Sequence, residues 1–409
     1  MAAILQTLAW AITACSAPLF LDLALSIAGN LIRLIRPGRS HTTTIRSLRM
    51  AVVVPAHNEA LMIAHTVRSL LAAGCTSATE AAQEPPHSGP QFPVRIYVVA
   101  HNCTDRTVEE AARAGAVVVR LDQFQGKGAA LRCGFAAARA DAAEAFLVVD
   151  ADTTVRPNLL EAMRQTLESG ADAAQCRYEL AAPEESGLQA RARLRVLAFR
   201  GINVARARGR AALGLSAGLF GNGFALTASL LERLPFQADS ICEDIEYNAR
   251  LIAADHRVTW VEETAVYGPL SAPGTAQAAQ EARWEGGRLR VARQCSLPLL
   301  GAALRSNPAA LAMLAELWSL PLSRGLLLLL LAFLLPVHWL HLYAAVCLAT
   351  TLAYVLESAL LGRQPALELA ALAAAPLHLL WKLMITPLVL RQSRRRAAWK
   401  RTRREAIQK

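Results

Sequence analysis

Residues Ile4 to Ile35 form one long apolar run, interrupted by Asp22 and a few small polar side chains and closed by Arg33, Arg36 and Arg39. A helix needs about 20 apolar residues to cross a bilayer, so this run predicts a span. A cleaved signal peptide has a basic start and a shorter apolar core; the expectation is an uncleaved anchor over residues 1–36. From about Arg49 to Leu270 the pattern changes. Short apolar runs alternate with stretches of helical periodicity, which predicts an α/β domain with a mostly parallel sheet. Strands are expected at Met50–Pro55, Arg95–Ala100, Val117–Leu121 and Ala145–Asp150, each followed by a turn and a helix-like stretch. The segment Thr76–Pro93, rich in Pro, Ser, Ala and Glu, reads as a surface loop.

Beyond Gly268 an Arg-rich amphipathic stretch runs to about Arg293, and a less regular one from Leu297 to Leu320. Both read as interfacial, with Arg288, Arg290, Arg293 and Arg305 placed for lipid headgroups. Apolar blocks then cover Leu320–Pro336, Val337–Leu361 and Pro365–Leu390. The first two read as spans. The third carries Glu368, His378, Lys382 and two internal prolines, and reads either as a further span or as a re-entrant or interfacial helix. The expected organisation is an anchor (1–36), a catalytic α/β domain (49–270), a segment of interfacial helices (271–320), a membrane segment of two to three spans (321–390) and a basic tail (391–409).

Composition supports a membrane protein: of 409 residues 54% are hydrophobic, high for a soluble chain. The net charge of +11 gathers at the flanks of the apolar segments. Residues 391–409 hold nine Lys or Arg against Glu405, and five Arg fall between Arg33 and Arg49 with no acid among them. Such flanks mark the cytoplasmic side, which puts the α/β domain there, as at a bacterial inner membrane, and calls for an even number of spans between that domain and the tail. No basic stripe interleaved with aromatics occurs in the globular part, so nucleic acid is not an expected partner. The eight cysteines include no CxxC pair and no zinc-site spacing with His, as in a reducing compartment. In such a compartment the sequon Asn102-Cys103-Thr104 is not used.

The candidate chemistry starts at Phe146-Leu-Val-Val-Asp150-Ala-Asp152, an apolar strand ending in two carboxylates. Alternation along a strand points both side chains the same way, and ligands of open α/β sheets collect at the carboxyl ends of strands. Two such oxygens suit Mg²⁺ or Mn²⁺ shared with substrate phosphates; turn and helix-cap chemistry is the plainer use of the pattern. Upstream, the first strand runs into Pro55-Ala-His-Asn58-Glu59 and the second into His101-Asn102-Cys-Thr-Asp105, polar groups at the same sheet edge. That is the shape of a nucleotide pocket, although Asn58 and Asp105 also suit helix capping. Gly126-Lys127-Gly128 opens the helix after the third strand, where flexible backbone, a helix N-terminus and a cation favour a phosphate.

In this order PAHNE, AHNCTD, GKGAAL and VVDAD resemble the donor half of family-2 glycosyltransferases of the GT-A fold. Gly221-Asn222-Gly223 resembles their acceptor-side motif, and Ser240-Ile-Cys-Glu243-Asp244 their ED motif. Gln280-Glu-Ala-Arg283-Trp284 resembles the QxxRW signature of membrane-bound members such as cellulose, hyaluronan and poly-N-acetylglucosamine synthases. The resemblance implies that Pro55, Asn58, Glu59, His101, Asn102, Lys127, Asp150 and Arg283 bind the donor. It implies that Asp150 and Asp152 hold Mg²⁺ or Mn²⁺, and that Gly221, Asn222, Gly223, Gln280 and Trp284 bind the acceptor. Asp244 is then the catalytic base, with Glu243 shaping its surroundings. His101 stands where the family usually has an Asp that contacts the base, which weakens the inference of uridine. Plainer uses exist here too: a helix N-terminus stabilises such carboxylates, and Trp284 suits an interfacial anchor.

The implied activity is inverting transfer from a nucleoside-diphosphate sugar, expected to be a UDP-sugar. The product is expected to be a β-linked extracellular or cell-surface polysaccharide, made with an export or regulatory partner. The alternative is transfer of a single sugar to a membrane lipid, ceramide-like or polyprenyl phosphate, since ceramide glucosyltransferases carry a similar QxxRW-type motif. In the tail, Trp399 either rests with its basic neighbours on anionic lipid or docks against the catalytic domain or the interfacial helices.

Overall fold

The computed structural model describes residues 1–35, 48–81, 94–123, 126–181, 190–270 and 275–394. Trp399 and its tail lie outside the described residues, as does most of the stretch expected as a loop at Thr76–Pro93. The helix after the first strand continues through Ala81, so the start of that stretch is helical.

The chain divides into two compact units, an α/β unit drawn from residues 39–181 and 216–277 and a helical unit drawn from Met1–Gly38, Ala182–Leu215 and Ala278–Arg395. The α/β unit holds strands β1 (Met50–Ala56), β2 (Arg95–His101), β3 (Val117–Leu121), β4 (Ala145–Val148), β5 (Thr154–Val155), β6 (Ala173–Ala181), β7 (Phe224–Thr227) and β8 (Val258–Pro269). With helices numbered along the chain, it also holds α2 (Ile63–Ala81), α3 (Thr107–Arg113), α4 (Lys127–Ala140), α5 (Leu159–Glu168), α8 (Ala228–Arg233) and α9 (Glu243–Ala253).

The strands make one sheet in the order β3-β2-β1-β4-β7-β6-β8-β5. The four strands expected from the sequence are all present, and β3, β2, β1 and β4 pair in parallel. Beyond β4 the sheet is mixed, because β7 runs antiparallel between β4 and β6 and β5 runs antiparallel to β8. β1 and β4 are buried along almost their whole length, which is why they read as continuous apolar runs rather than alternating ones. Ile63, Val67 and Leu70 of α2 and Leu159 and Met163 of α5 pack on Val52, Val54 and Leu147. Against β1 and β2, α4 lies so close that a Cβ on Gly134 would stand 2.4 Å from Val53 Cγ1. The carboxyl ends of β1, β2 and β4 consequently emerge side by side.

The helical unit holds α1 (Ala2–Ile35), α6 (Ala190–Arg200), a five-residue π turn (Gly201–Ala205) and α7 (Arg206–Ala212). Its C-terminal part is α10 (Thr275–Leu304), α11 (Pro308–Trp318), α12 (Leu322–Ala332), α13 (His338–Leu360), α14 (Pro365–Ala370), α15 (Ala375–Met384) and α16 (Thr386–Arg394). Leu19, Phe20 and Leu23 of α1 share a core with Leu329, Leu340, Ala344 and Tyr354. α1 and α7 meet backbone to backbone: a Cβ on Gly29 would lie 1.9 Å from Gly209 O. At the π turn, Ser26 Oγ and Asn30 Nδ2 both donate to Ala205 O, at 3.1 and 2.8 Å.

Three helical stretches among the described residues, Ala2–Ile35, His338–Leu360 and Pro365–Met384, are long and apolar enough to cross a membrane. The block Leu320–Pro336 differs from its expectation as a span by itself. Pro321, which has no N–H to give, precedes α12; that 11-residue helix is about 16 Å long and meets α11 at a 75° bend. Charges within the apolar stretches find partners. Glu368 lies 2.5 Å from Arg200, both buried, and Asp22 of α1 is held by Arg210 at 2.5 Å and Arg206 at 3.6 Å. Arg288 and Arg293, expected at headgroups, have protein partners instead. Arg288 donates to Glu316 O (3.2 Å) and Ser319 O (2.8 Å) at the α11–α12 break, and Arg293 to Ser393 O at 3.5 Å.

Candidate active site

Two loops close the ends of β1 and β2, and each turns on an asparagine in the left-handed region, Asn58 at φ +55° and Asn102 at φ +47°. Asn58 Oδ1 accepts the Thr104 N–H at 2.7 Å, tying the loops together. Asp105 accepts from Ala60 N–H (3.2 Å) and Thr107 N–H (3.0 Å), and the Glu59 N–H donates to Thr107 Oγ1 at 2.7 Å. These residues thus brace the two loops against each other. His57 Nδ1–H donates to the His101 carbonyl at 2.7 Å, and Asn102 Nδ2 donates to His101 Nε2 at 3.2 Å. The His101 ring is buried and brings no carboxylate to this end of β2. Pro55 lies half-buried in β1.

Because β4 ends at Val148, Asp150 and Asp152 occupy the turn after the strand, and strand alternation does not set their direction. Asn222 does. Its Oδ1 accepts the Asp150 N–H (3.1 Å), and its Nδ2 donates to Thr153 Oγ1 (2.9 Å). Lys127, first residue of α4, reaches the same place: Nζ lies 2.6 Å from Asp150 Oδ1, 3.5 Å from Glu243 Oε1 and 2.6 Å from Gly221 O. Asp244 follows Glu243 in the first turn of α9, and a Cβ on Gly221 would stand 3.0 Å from its Oδ2. Gly221 (φ +74°) and Gly223 (φ +68°) hold a backbone that other residues rarely adopt. The structure therefore brings Lys127, Asp150, Asn222, Glu243 and Asp244 together around Gly221.

Burial, reinforced by Asp244 and opposed by Lys127, pushes the Glu243 carboxyl up to about 7. Burial likewise raises Asp244, with Lys127 pulling the other way. For Lys127 burial favours the neutral amine, but the carboxylates of Asp150 and Glu243 outweigh it and hold the ammonium well above its ordinary value. Tyr178 is raised by burial first and then by Asp150 and Asp152, whose charges it faces.

Asp150 is partly exposed and Asp152 is buried. Among the described residues no group of three or more His, Cys, Asp or Glu is arranged to hold a metal. A cation here therefore has two carboxylates and must complete its shell with phosphate oxygens and water, which is how Mg²⁺ and Mn²⁺ bind beside nucleotides. The donor set fits that group.

Sequence reading missed Gln175, wholly buried in β6. Its Nε2 donates to Asn222 O (2.8 Å) and Gly223 O (3.1 Å), and its Oε1 accepts the Phe220 N–H (3.0 Å), so it braces the glycine-flanked turn. Its one signal was a lone carboxamide in the apolar Ala173–Cys176. Asn222, expected on the acceptor side, is wholly buried with its carboxamide given to Asp150 and Thr153. Gln280, Arg283 and Trp284 lie on α10 within the helical unit. There Trp284 is 42% exposed, with its ring 6.5 Å from that of Phe199.

A mixed α/β sheet of this order, with Asp150, Asp152 and Lys127 where its parallel strands end, is of the GT-A type. Residues 51–224 match the model of glycosyl transferase family 2, and residues 145–360 match that of glycosyl transferase family group 2. The chain belongs to the family-2 glycosyltransferases. No curated protein matches it. Among solved structures it is similar to the mannosyltransferase PcManGT from Pyrobaculum calidifontis in complex with GDP-Man and Mn²⁺. Identity there is 19%, the TM-score 0.53, and the match covers 94% of this chain and 97% of that one. Glucosyl-3-phosphoglycerate synthase from Mycobacterium tuberculosis, in complex with Mn²⁺, UDP and phosphoglyceric acid, is 21% identical at a TM-score of 0.39, covering 58% of this chain and 78% of that one. TarS of S. aureus in complex with UDP-GlcNAc is 16% identical at 0.43, covering 66% and 71%.

Proposed function

We propose that the protein is a membrane-bound, inverting, divalent-metal-dependent transferase that works at the cytoplasmic face, with residues 49–270 as its catalytic domain. It takes the sugar of a UDP-sugar and adds it to the growing end of a β-linked cell-surface polysaccharide. The observation that carries the reaction is the convergence of Lys127, Asp150, Glu243 and Asp244 around Gly221. Asp150 and Asp152 would hold Mg²⁺ or Mn²⁺, which supplies positive charge to the departing diphosphate. Lys127 offers its ammonium to the same phosphates. Asp244 takes the proton of the acceptor hydroxyl as that oxygen bonds to the anomeric carbon. The bond from that carbon to the phosphate oxygen breaks on the opposite face, and its electron pair leaves with the diphosphate. A positioned base of this kind contributes about 10²–10⁴-fold. PcManGT, with its GDP-Man and Mn²⁺, supports the metal and makes GDP-sugars the natural second donor to test, since His101 leaves no carboxylate for uracil.

The Gln280–Trp284 signature suits a glycan or a lipid acceptor alike, since ceramide glucosyltransferases carry a similar motif. A second reading, a single sugar placed on a ceramide-like or polyprenyl-phosphate lipid, is favoured by the three apolar helices, or four with the bent pair, counted among the described residues. Such a set is small for one chain to wall a glycan channel. Purified protein in lipid, given radiolabelled UDP- and GDP-sugars with Mn²⁺, separates the two. Long, water-soluble glycan is the expected product; a one-sugar, organic-soluble product moves the assignment to the lipid, and no metal-dependent transfer from any donor overturns both.

A further inference from the structure

α10 carries Glu281 and Glu285 one turn apart on one face. Lys382, at the end of the last apolar stretch, lies 3.0 Å from Glu285 and is also ion-paired with Glu281. Arg324 of α12 stands 2.8 Å from Glu285 on its other oxygen. All four side chains are less than one-fifth exposed. Charges among apolar helices are costly unless paired, and they are retained where they have work to do. Two acids facing two bases balance in charge and tie α10 both to α12 and to the last apolar stretch.

We propose that Lys382 and Arg324 are positioning residues for the Gln280–Trp284 segment. At 3.6 residues per turn, Gln280 and Trp284 lie about 100° around α10 from Glu281 and Glu285. Clamping the glutamate face therefore sets the rotation of α10 and with it the direction of Trp284. Arg288, one turn on, fixes the helix along its axis through Glu316 O and Ser319 O at 3.2 and 2.8 Å. The inference rests on the reading that Gln280–Trp284 serves the acceptor.

The test uses the full chain in lipid with donor sugar and Mn²⁺ and follows two rates, transfer to acceptor and hydrolysis of the donor by water. Lys382→Met is expected to lower transfer by about ten-fold or more with a raised acceptor KM, since displacements near 1 Å can cost as much as 10²-fold. Donor hydrolysis should fall several-fold less than transfer, because Lys127, Asp150 and Asp152 lie outside α10 and of the donor residues only Arg283 turns with it. Lys382→Arg should restore transfer. If Lys382→Met does not fold, Glu285→Gln makes the same test with Lys382 still paired to Glu281. Unchanged transfer in the folded variant overturns the proposal, and so does an equal fall of transfer and hydrolysis, which marks a merely structural pair. Trp284→Ala separates the levels. If it leaves transfer intact, the acceptor reading fails; if it abolishes transfer while Lys382→Met does not, only the clamp fails.

Discussion

Lys127 Nζ lies 2.6 Å from Asp150 Oδ1, so the first residue of α4 neutralises the carboxylate expected to share the donor's metal. The same ammonium stands 3.5 Å from buried Glu243. Replacing it with Met leaves Asp150, Glu243 and Asp244 facing one another with no counter-charge. Breaking a fully buried pair costs about 3–5 kcal/mol; with Asp150 partly in solvent, about 1–3 kcal/mol is expected here. Donor KM should rise as well. Thermal unfolding and donor titration of Lys127→Met check both.

The raised carboxyls give a pH dependence with opposite signs for folding and catalysis. Glu243 titrates near 7 in the folded chain against an ordinary value of 4.5, so its contribution to stability is full below about 4.5 and is lost as pH rises through 7. Catalysis needs Asp244 ionised, and burial raises its carboxyl, so kcat should climb as pH rises above the ordinary carboxylate range. Glu243→Gln removes a neighbouring charge and should move the acid limb of kcat to lower pH. A limb that stays in place in a kcat profile from pH 5 to 8.5 removes Glu243 from the base's surroundings.

Asn222→Ala should act through the metal turn. It orphans the Asp150 N–H and the Thr153 hydroxyl, both hydrogen-bonded to its carboxamide, at about 1–3 kcal/mol for each buried group left unmet. The Mn²⁺ concentration for half-maximal activity should rise, while the donor KM at saturating Mn²⁺ changes less. An Mn²⁺ titration of activity measures this.

The apolar runs made β1 to β4 legible, and the motifs along them named Asp150, Lys127 and Asp244, which the structure brings together around Gly221. What orients Asp150 was not legible, because Asn222 and Gln175 come from β7's approach and β6, far along the sequence. A local pattern cannot register a partner that only the fold brings near. Gly128 shows the same limit: it read as flexible backbone for a phosphate, yet a Cβ there would stand 2.0 Å from Ala238 O, so close packing requires it. Likewise Glu368 and Lys382 read as lone charges in an apolar stretch, and the fold sets Arg200 beside the first and Glu281 and Glu285 beside the second.

That pairing predicts an asymmetry in stability. Glu368→Ala leaves Arg200 buried without its 2.5 Å partner and should cost about 3–5 kcal/mol, whereas Arg200→Met with Glu368→Leu should cost much less or nothing. Thermal unfolding of both variants in lipid compares them. Equal losses would show that the charges matter for more than mutual compensation.

The central claim, a metal-dependent sugar transfer with Asp244 as its base, is tested most directly by Asp244→Asn. In lipid with Mn²⁺ and a radiolabelled nucleotide sugar, the account predicts that transfer falls by at least about 10²-fold while nucleotide and Mn²⁺ affinities stay near those of the parent. A folded Asp244→Asn protein that transfers sugar at the parent's rate would contradict it.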